Sequence, residues 1–256
     1  MYYYVRHSQL DGIEEDLKTE FKAHRDLSNV DLSDCRYVPA SNGGFTNKLP
    51  RRRKAISDSI CGMLNTGLKS TLHLGVTDEG QVEGFAMTLY QREHFLLSLQ
   101  DLLERYSPCP SKRVETRFIP VIDEDEKEQQ GVQPEQVIHR DTSTSRWLGH
   151  CVRDSRYCWC DTDSLAICAN GSIPRFYVIE ITLAAWDPME DKIRPIFKNE
   201  YNKIYVRRNG YVEHIETDKE IKALKNTNFN SRLAENCVSL FEVSDTDFYS
   251  YDEDDD

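Results

Sequence analysis

The sequence predicts an α+β fold, in which helices pack on β-strands. Three observations support this prediction: a helical apolar pattern followed directly by hairpin-like alternation, a second and longer helical stripe, and a late apolar strand followed by another hairpin. The chain has 256 residues, of which 39% are hydrophobic and 30% charged, so it can form a substantial core. A wholly disordered chain is excluded.

The N-terminal quarter predicts one ambiguous segment, one insertion and one helix. Residues 10–25 begin with apolar residues at near-helical spacing, but TEFKA near the end alternates as a strand does, so both interpretations stay open. Residues 28–50 are polar and rich in turn residues around Asn42-Gly43-Gly44, which indicates a loop insertion. The RRRK segment then predicts a helix with an apolar face made of Ile56, Ile60, Met63 and Leu64.

The rest of the chain predicts strands, hairpins and two further helices. STLHLGVTDEGQVEGF predicts a strand, a turn and a second short strand, and RVETRFIPVI and RFYVIEITLAAW predict two more strands, the second one buried. IYVRRNGYVEHI predicts a hairpin around Asn209-Gly210, and TDKEIKALKN predicts a helix with a Thr-Asp cap. The long helix after the first hairpin has a predicted apolar stripe of Leu89, Phe95, Leu96, Leu99, Leu102 and Leu103.

The net charge of −12 is concentrated in two stretches. Residues 245–256 carry seven acidic residues and predict an acidic disordered tail over 244–256, and residues 123–128 carry five acids and one lysine within a polar excursion. The remaining chain is nearly neutral and charges are screened beyond about 10 Å, so nucleic acid stays a candidate partner. No apolar run approaches the roughly 20 residues of a membrane span, so we expect a soluble, cytoplasmic protein with reduced cysteines.

A group of separated carboxylates carries the main chemical hypothesis. Glu15 and Glu20 lie close in sequence, Lys22 follows, and Asp78 ends the strand HLGVTD. Two or three carboxylates around Mg²⁺ or Mn²⁺ are what phosphodiester hydrolysis requires, and a nearby lysine can stabilise the developing charge. Each of these residues also suits a solvated surface or a turn, so spacing alone leaves both interpretations open.

The same residues resemble the core of the Schlafen family of AlbA-like domains. The matching pattern is Glu15, then Glu20-Phe21-Lys22, then a helix, then LHLGVTDEG at 72–80 with Val82-Glu83-Gly84. The resemblance implies a single Schlafen/AlbA-like lobe over residues 1–243, a mixed β-sheet with packed helices. Its core would span about 10–106 and 175–224, with polar insertions at about 27–50 and 123–156.

The resemblance implies a metal-dependent endoribonuclease in which Glu15, Glu20 and Asp78 hold Mg²⁺ or Mn²⁺ and Lys22 assists catalysis. Glu14 is an alternative to Glu15. The chain is most similar to the Schlafen-domain subunits of the endonuclease that trims piRNA precursors at their 5′ ends. Family ribonucleases have two lobes and this chain has one, so the resemblance implies a second Schlafen-like subunit, a different chain being favoured over a second copy, with RNA as the substrate.

Two other functions are compatible with the same sequence. One is a Schlafen-like scaffold that binds RNA without cutting it. The other is a nucleotide-binding or transcription-associated module of the wider AlbA-like group, although the chain lacks a Gly-rich phosphate-binding loop of the Walker type. For both the endoribonuclease and the RNA-binding scaffold, basic residues are predicted to contact RNA phosphates, with ordinary solvated charge as the alternative. These residues are Arg51, Arg52, Arg53, Lys54, Lys203, Arg207 and Arg208.

The cysteines leave a zinc site open. Schlafen proteins have a His-x-Cys followed by a Cys-Cys pair, whereas this chain has Ser107-Pro108-Cys109 and no Cys-Cys pair. A substitute site is one hypothesis, and ordinary reduced cysteines, with Cys-Trp-Cys in a strand, are the alternative. The proposed zinc ligands are His150, Cys151, Cys158 and Cys160.

Overall fold

The computed structural model describes residues 2–10, 12–27, 38–39, 45–46, 52–125, 149–152, 158–171, 173–189 and 192–226. The helices are α1 (Arg52–Leu64), α2 (Leu89–Glu104), α3 (Trp159–Ala169) and α4 (Asp218–Asn226), with a 3₁₀ turn at Ser111–Arg113. The strands are β1 (Tyr4–Val5), β2 (Thr19–Lys22), β3 (Val38–Pro39), β4 (Phe45–Thr46), β5 (Ser70–Leu74), β6 (Phe85–Ala86), β7 (Val114–Ile122), β8 (Phe176–Leu183), β9 (Ile204–Arg208) and β10 (Tyr211–Ile215).

The main sheet is mixed and confirms the α+β prediction. Its strand order is β1-β7-β8-β5-β2, and the short β6 also pairs with β8. The pairs β1–β7 and β2–β5 are parallel, whereas β8 is antiparallel to β5, β6 and β7. Strand β8 is buried over most of its length, as its mostly apolar sequence predicts.

Strand β2 resolves the ambiguity of the first segment. The structure has a strand over Thr19–Lys22 and no helix within residues 12–27. Pairing with β5 places Glu20 beside Leu72 and Lys22 beside Leu74. Both leucines belong to the large core under α1, so Glu20 and Lys22 share the sheet face that α1 covers, and Phe21 points to the smaller core on the other face.

Helix α1 packs as predicted, because Ile56, Ile60, Met63 and Leu64 are all buried. Gly62 lies on this helix where the β9–β10 hairpin crosses it. A Cβ atom at Gly62 would lie 3.3 Å from the backbone nitrogen of Arg207, so the absence of a side chain allows the close approach of helix and hairpin.

Helix α2 begins with a capping box, in which Thr88 and Gln91 exchange side-chain-to-backbone hydrogen bonds. Its predicted stripe is only partly correct. Phe95, Leu99, Leu102 and Leu103 are buried, but Leu89 and Leu96 are 45% and 43% exposed. The buried face also includes Gln91, His94 and Ser98. Gln91 and His94 contact Asp161 and Cys160 of α3, which packs against α2.

The remaining predictions concern the C-terminal half. The β9–β10 hairpin turns at Asn209-Gly210, where both residues have positive φ, and the Thr217–Glu220 capping box starts α4. Cys-Trp-Cys lies at the start of helix α3, so the strand alternative was wrong.

Residues 126–148 and the acidic tail fall outside the described residues. Within the described ranges, no helix is both long and apolar enough to cross a membrane.

Candidate functional site

Two groups of side chains in the described part of the chain could bind a metal ion. The first is centred on Glu20, whose carboxylate is 4% exposed on the α1 side of β2. Lys22 Nζ lies 2.5 Å from Glu20 Oε1, and Ser59 Oγ on α1 donates a hydrogen bond of 2.9 Å to the same oxygen. Arg207 Nη1 forms an ion pair with the other oxygen, Oε2. Both oxygens of Glu20 are therefore engaged within the protein.

Arg207 connects this carboxylate to the β9–β10 hairpin. Its side chain is wholly buried, and it donates a hydrogen bond of 2.8 Å to the carbonyl of Thr19 and another to the carbonyl of Asp16. The turn of the hairpin lies against the same segment, since a Cβ atom at Gly210 would be 3.4 Å from the carbonyl oxygen of Glu15. A buried arginine is stable only when its charge is paired and its donors are used, and this one satisfies both conditions.

Glu15 joins Glu20 from the loop before β2. Its Oε1 accepts a hydrogen bond of 2.8 Å from the backbone N–H of Phe21, and its side chain is half-buried, whereas Glu14 is exposed. Burial and the charge of Glu20 raise the pKa of Glu15 above its usual value, while the Phe21 N–H, Lys22 and Arg207 act in the lowering direction. Between the two glutamates left open by the sequence, the structure therefore brings Glu15 to Glu20.

Asp78 lies elsewhere. It is exposed in a turn beyond the end of β5, closed by the Val76–Val82 bridge and a hydrogen bond of 2.9 Å from Gly80 N to the carbonyl of Thr77. Across the described residues, one group of three or more His, Cys, Asp or Glu side chains is arranged to hold a metal ion, and it does not contain Glu15, Glu20 or Asp78. The two glutamates are together, and the third acid is outside their group.

The carboxylates of Glu15 and Glu20 could bind a hard cation only if Lys22 moved away from Glu20. Glu15 and Glu20 supply the carboxylate oxygens that Mg²⁺ and Mn²⁺ prefer. However, Lys22 and Arg207 already balance the two negative charges. A divalent ion on Glu20 requires that Lys22 leave Oε1, which its partly exposed side chain permits, whereas the buried Arg207 has no such freedom.

The predicted RNA contacts divide into buried and exposed residues. Arg53 is wholly buried, with Nη2 3.0 Å from Asp101 Oδ2 and Nη1 donating to the carbonyl of Leu27 at 2.7 Å. Arg207 is equally buried. The expectation of phosphate contact is corrected for these two arginines, because the packing of α1 and β9 turns their charges into internal ion pairs.

The other basic candidates are distributed unevenly. Lys203 is exposed, Arg208 is exposed and paired with Glu213 across the hairpin, and Lys54 is half-buried against Asp58 and the Tyr205 hydroxyl. Arg51 lies outside the described residues, and Arg52 is described only as the first residue of α1. Lys203 and Arg208 therefore remain as the exposed members of the predicted set.

The second group combines two histidines and two cysteines. Cys160 Sγ lies 3.3 Å from Nδ1 of His94 on α2, and Cys158 Sγ lies 3.4 Å from Nδ1 of His150. The four ligand atoms all lie within 4.8 Å of one another. Cys158 precedes α3 as its N-cap, Cys160 lies in its first turn, and both are 1% exposed.

This group differs from the predicted zinc set by one residue. The observed group contains His94 where the prediction had Cys151. The backbone N–H of Cys151 donates a hydrogen bond of 3.3 Å to Cys158 Sγ. His94 was missed because it is far from the cysteines in sequence, although a histidine on the buried side of an amphipathic helix was a usable signal. Burial, followed by the charge of His150, lowers the pKa of His94, and burial raises the pKa of Cys160.

No protein-family model matches the chain. The Schlafen resemblance therefore stays a prediction, supported by the motif and compatible with the mixed sheet and packed helices described above.

Proposed function

We propose that this chain is the catalytic subunit of a Schlafen-type, divalent-metal-dependent endoribonuclease. The favoured role is 5′ processing of piRNA precursors in the cytoplasm, together with a second, different Schlafen-like subunit that completes the RNA cleft. The observation that carries the proposal is the convergence of Glu15 and Glu20 beside Lys22 at the edge strand of the sheet. Burial and the charge of Glu20 raise the pKa of Glu15, so this carboxyl lies where added positive charge is favourable.

Glu15 and Glu20 would hold Mg²⁺ or Mn²⁺. The resemblance implies Asp78 as a further ligand, but its turn lies outside the group that the two glutamates form. Such an ion supplies charge neutralisation at the scissile phosphate and lowers the pKa of water. The chain's own contribution is positional. Ser59 and Arg207 hold the Glu20 carboxylate against the covered face of the sheet, and the Phe21 N–H holds Glu15. Once displaced from Glu20, Lys22 can bind a phosphate oxygen.

The test is cleavage of short capped RNA by the full chain with its partner subunit, in Mg²⁺ or Mn²⁺. Glu15→Gln and Asp78→Asn should each reduce cleavage by about 100-fold or more, the size expected when one transition-state stabilising group is lost. The matched controls are the exposed neighbours, Glu14→Gln and Glu79→Gln, which should cleave at the wild-type rate. Glu20 is a poorer first choice because its replacement leaves the buried Arg207 unpaired.

A non-catalytic RNA-binding scaffold is the second candidate. It is favoured by one specific observation, namely that both oxygens of Glu20 are engaged by internal donors. In that case the Glu15 and Asp78 variants would leave cleavage by the assembled complex unchanged and would bind RNA normally. Metal-dependent cleavage that is lost with these two variants and kept with their neighbours rejects the scaffold.

A further inference from the structure

We propose that His94, His150, Cys158 and Cys160 form a closed, tetrahedral Zn²⁺ site that fastens α3 to α2. The site is independent of the carboxylate group, and its ligands come from three places in the chain: α2, the segment 149–152 and the start of α3. Two nitrogens and two sulfurs form a ligand set typical of structural zinc.

The distances suit one ion at the centre of the group. Zinc binds cysteine sulfur at about 2.3 Å and histidine nitrogen at about 2.0–2.1 Å, so a tetrahedral site places bonded sulfur and nitrogen about 3.6 Å apart. The two observed sulfur–nitrogen distances are 3.3 and 3.4 Å, and no pair of ligand atoms exceeds 4.8 Å.

The ligand charges also suit a buried dication. Two thiolates and two neutral imidazoles balance Zn²⁺, so the loaded site carries no net charge in a buried location. No carboxylate belongs to the group, so it is a poor site for Mg²⁺ or Mn²⁺.

The surroundings hold the ligands in place. His150 directs Nδ1 towards Cys158, and its Nε2 lies 3.7 Å from the Glu93 carboxylate, so an acid is near the ring nitrogen that faces away from the sulfur. Trp159 stacks on the His150 ring at a centroid distance of 5.0 Å. The backbone N–H of Cys151 donates to the sulfur of Cys158, a contact that stabilises a thiolate.

The test is the metal content of the full chain, purified under reducing conditions and dialysed against metal-free buffer, measured by elemental analysis. We expect about one zinc per chain for the wild type. Cys160→Ser and His94→Gln should retain less than about a tenth of it. Cys151→Ser and Cys168→Ser are the matched controls and should keep full zinc, because neither thiol belongs to the group.

Cobalt substitution of the wild-type chain gives a readout that does not depend on the folding of any variant. Tetrahedral coordination by two sulfurs should produce intense visible ligand-field bands and sulfur-to-cobalt charge transfer. The proposal is overturned by a reduced wild-type chain without zinc, by loss of zinc in Cys151→Ser, or by a mass two hydrogens lower that reveals a Cys158–Cys160 disulfide. RNA cleavage enters none of these measurements, so the outcome is separate from that of the proposed ribonuclease.

Discussion

At the scale of single residues, neighbouring arginines on β9 have opposite environments. Arg207 is wholly buried between Glu20 and the carbonyls of Asp16 and Thr19, whereas Arg208 is exposed and pairs with Glu213. Residues 204–207 of β9 are all buried, whereas Arg208 is the last residue of the strand, next to the turn, where its side chain reaches solvent. Arg207 therefore holds Glu20 in place inside the protein, whereas Arg208 lies on the surface.

Replacement of Arg207 should be far more costly than replacement of Arg208. Arg207→Met removes one partner of a buried ion pair and leaves the Glu20 carboxylate with an unpaired oxygen, so the free energy of unfolding should fall by about 3–5 kcal/mol. Arg208→Met should change it by less than about 0.5 kcal/mol. Urea unfolding monitored by circular dichroism measures both. Equal losses for the two variants would contradict the internal position of Arg207.

In the proposed ribonuclease, Lys203 would be the basic residue through which the hairpin contacts RNA, since it is exposed just before β9. Each phosphate neutralised by a basic residue contributes about 0.7–0.9 to the slope of log affinity against log salt concentration. Lys203→Gln should therefore weaken RNA binding and reduce that slope by this amount, as measured by fluorescence anisotropy over a salt series. Lys222→Gln, an exposed lysine on α4, is the control and should leave the slope unchanged.

At the scale of elements, α3 is the helix least supported by apolar packing. Its buried residues are Cys160, Ser164 and Ile167, and its Leu165 is 71% exposed. Helix α1, by contrast, buries a complete apolar face under the sheet. An element with so few apolar contacts needs another source of stability, and the His/Cys group at its start is the one that the structure offers.

Zinc removal should therefore loosen α3 selectively. After chelation under reducing conditions, amide hydrogens in residues 160–169 should exchange at least about 10-fold faster, because metal binding contributes directly to local folding. Amides of α1 should keep their protection and serve as the internal control. Hydrogen exchange with mass spectrometry measures both helices in one sample, and unchanged protection of α3 would show that its packing does not depend on the metal.

At the scale of the whole molecule, the two chemical groups depend on different parts of the fold. The carboxylate pair is assembled by the edge strand β2, helix α1 and the β9–β10 hairpin. The His/Cys group is assembled by α2, the segment 149–152 and the start of α3. Changes at one group should therefore be additive with changes at the other, since the groups share no side chain.

The sequence by itself determined most of the elements. The apolar spacing of α1, the mostly apolar sequence of β8 and the Asn209-Gly210 turn are local signals, so they predicted a helix, a buried strand and a hairpin correctly. The carboxylate motif also indicated the region in which Glu15 and Glu20 meet. These features depend on residues that are close together along the chain, so the composition and periodicity of a short segment are enough to predict them.

Only the tertiary structure decided which polar residues became internal. It placed Arg53 and Arg207 inside, brought Glu15 rather than Glu14 to Glu20, and substituted His94 for Cys151 in the cluster with Cys158. The physical reason is that the burial of a charge or a thiol depends on partners far away in sequence. Whether a guanidinium meets a carboxylate or the solvent follows from how the helices and the hairpin pack on the sheet, and no local pattern contains that information.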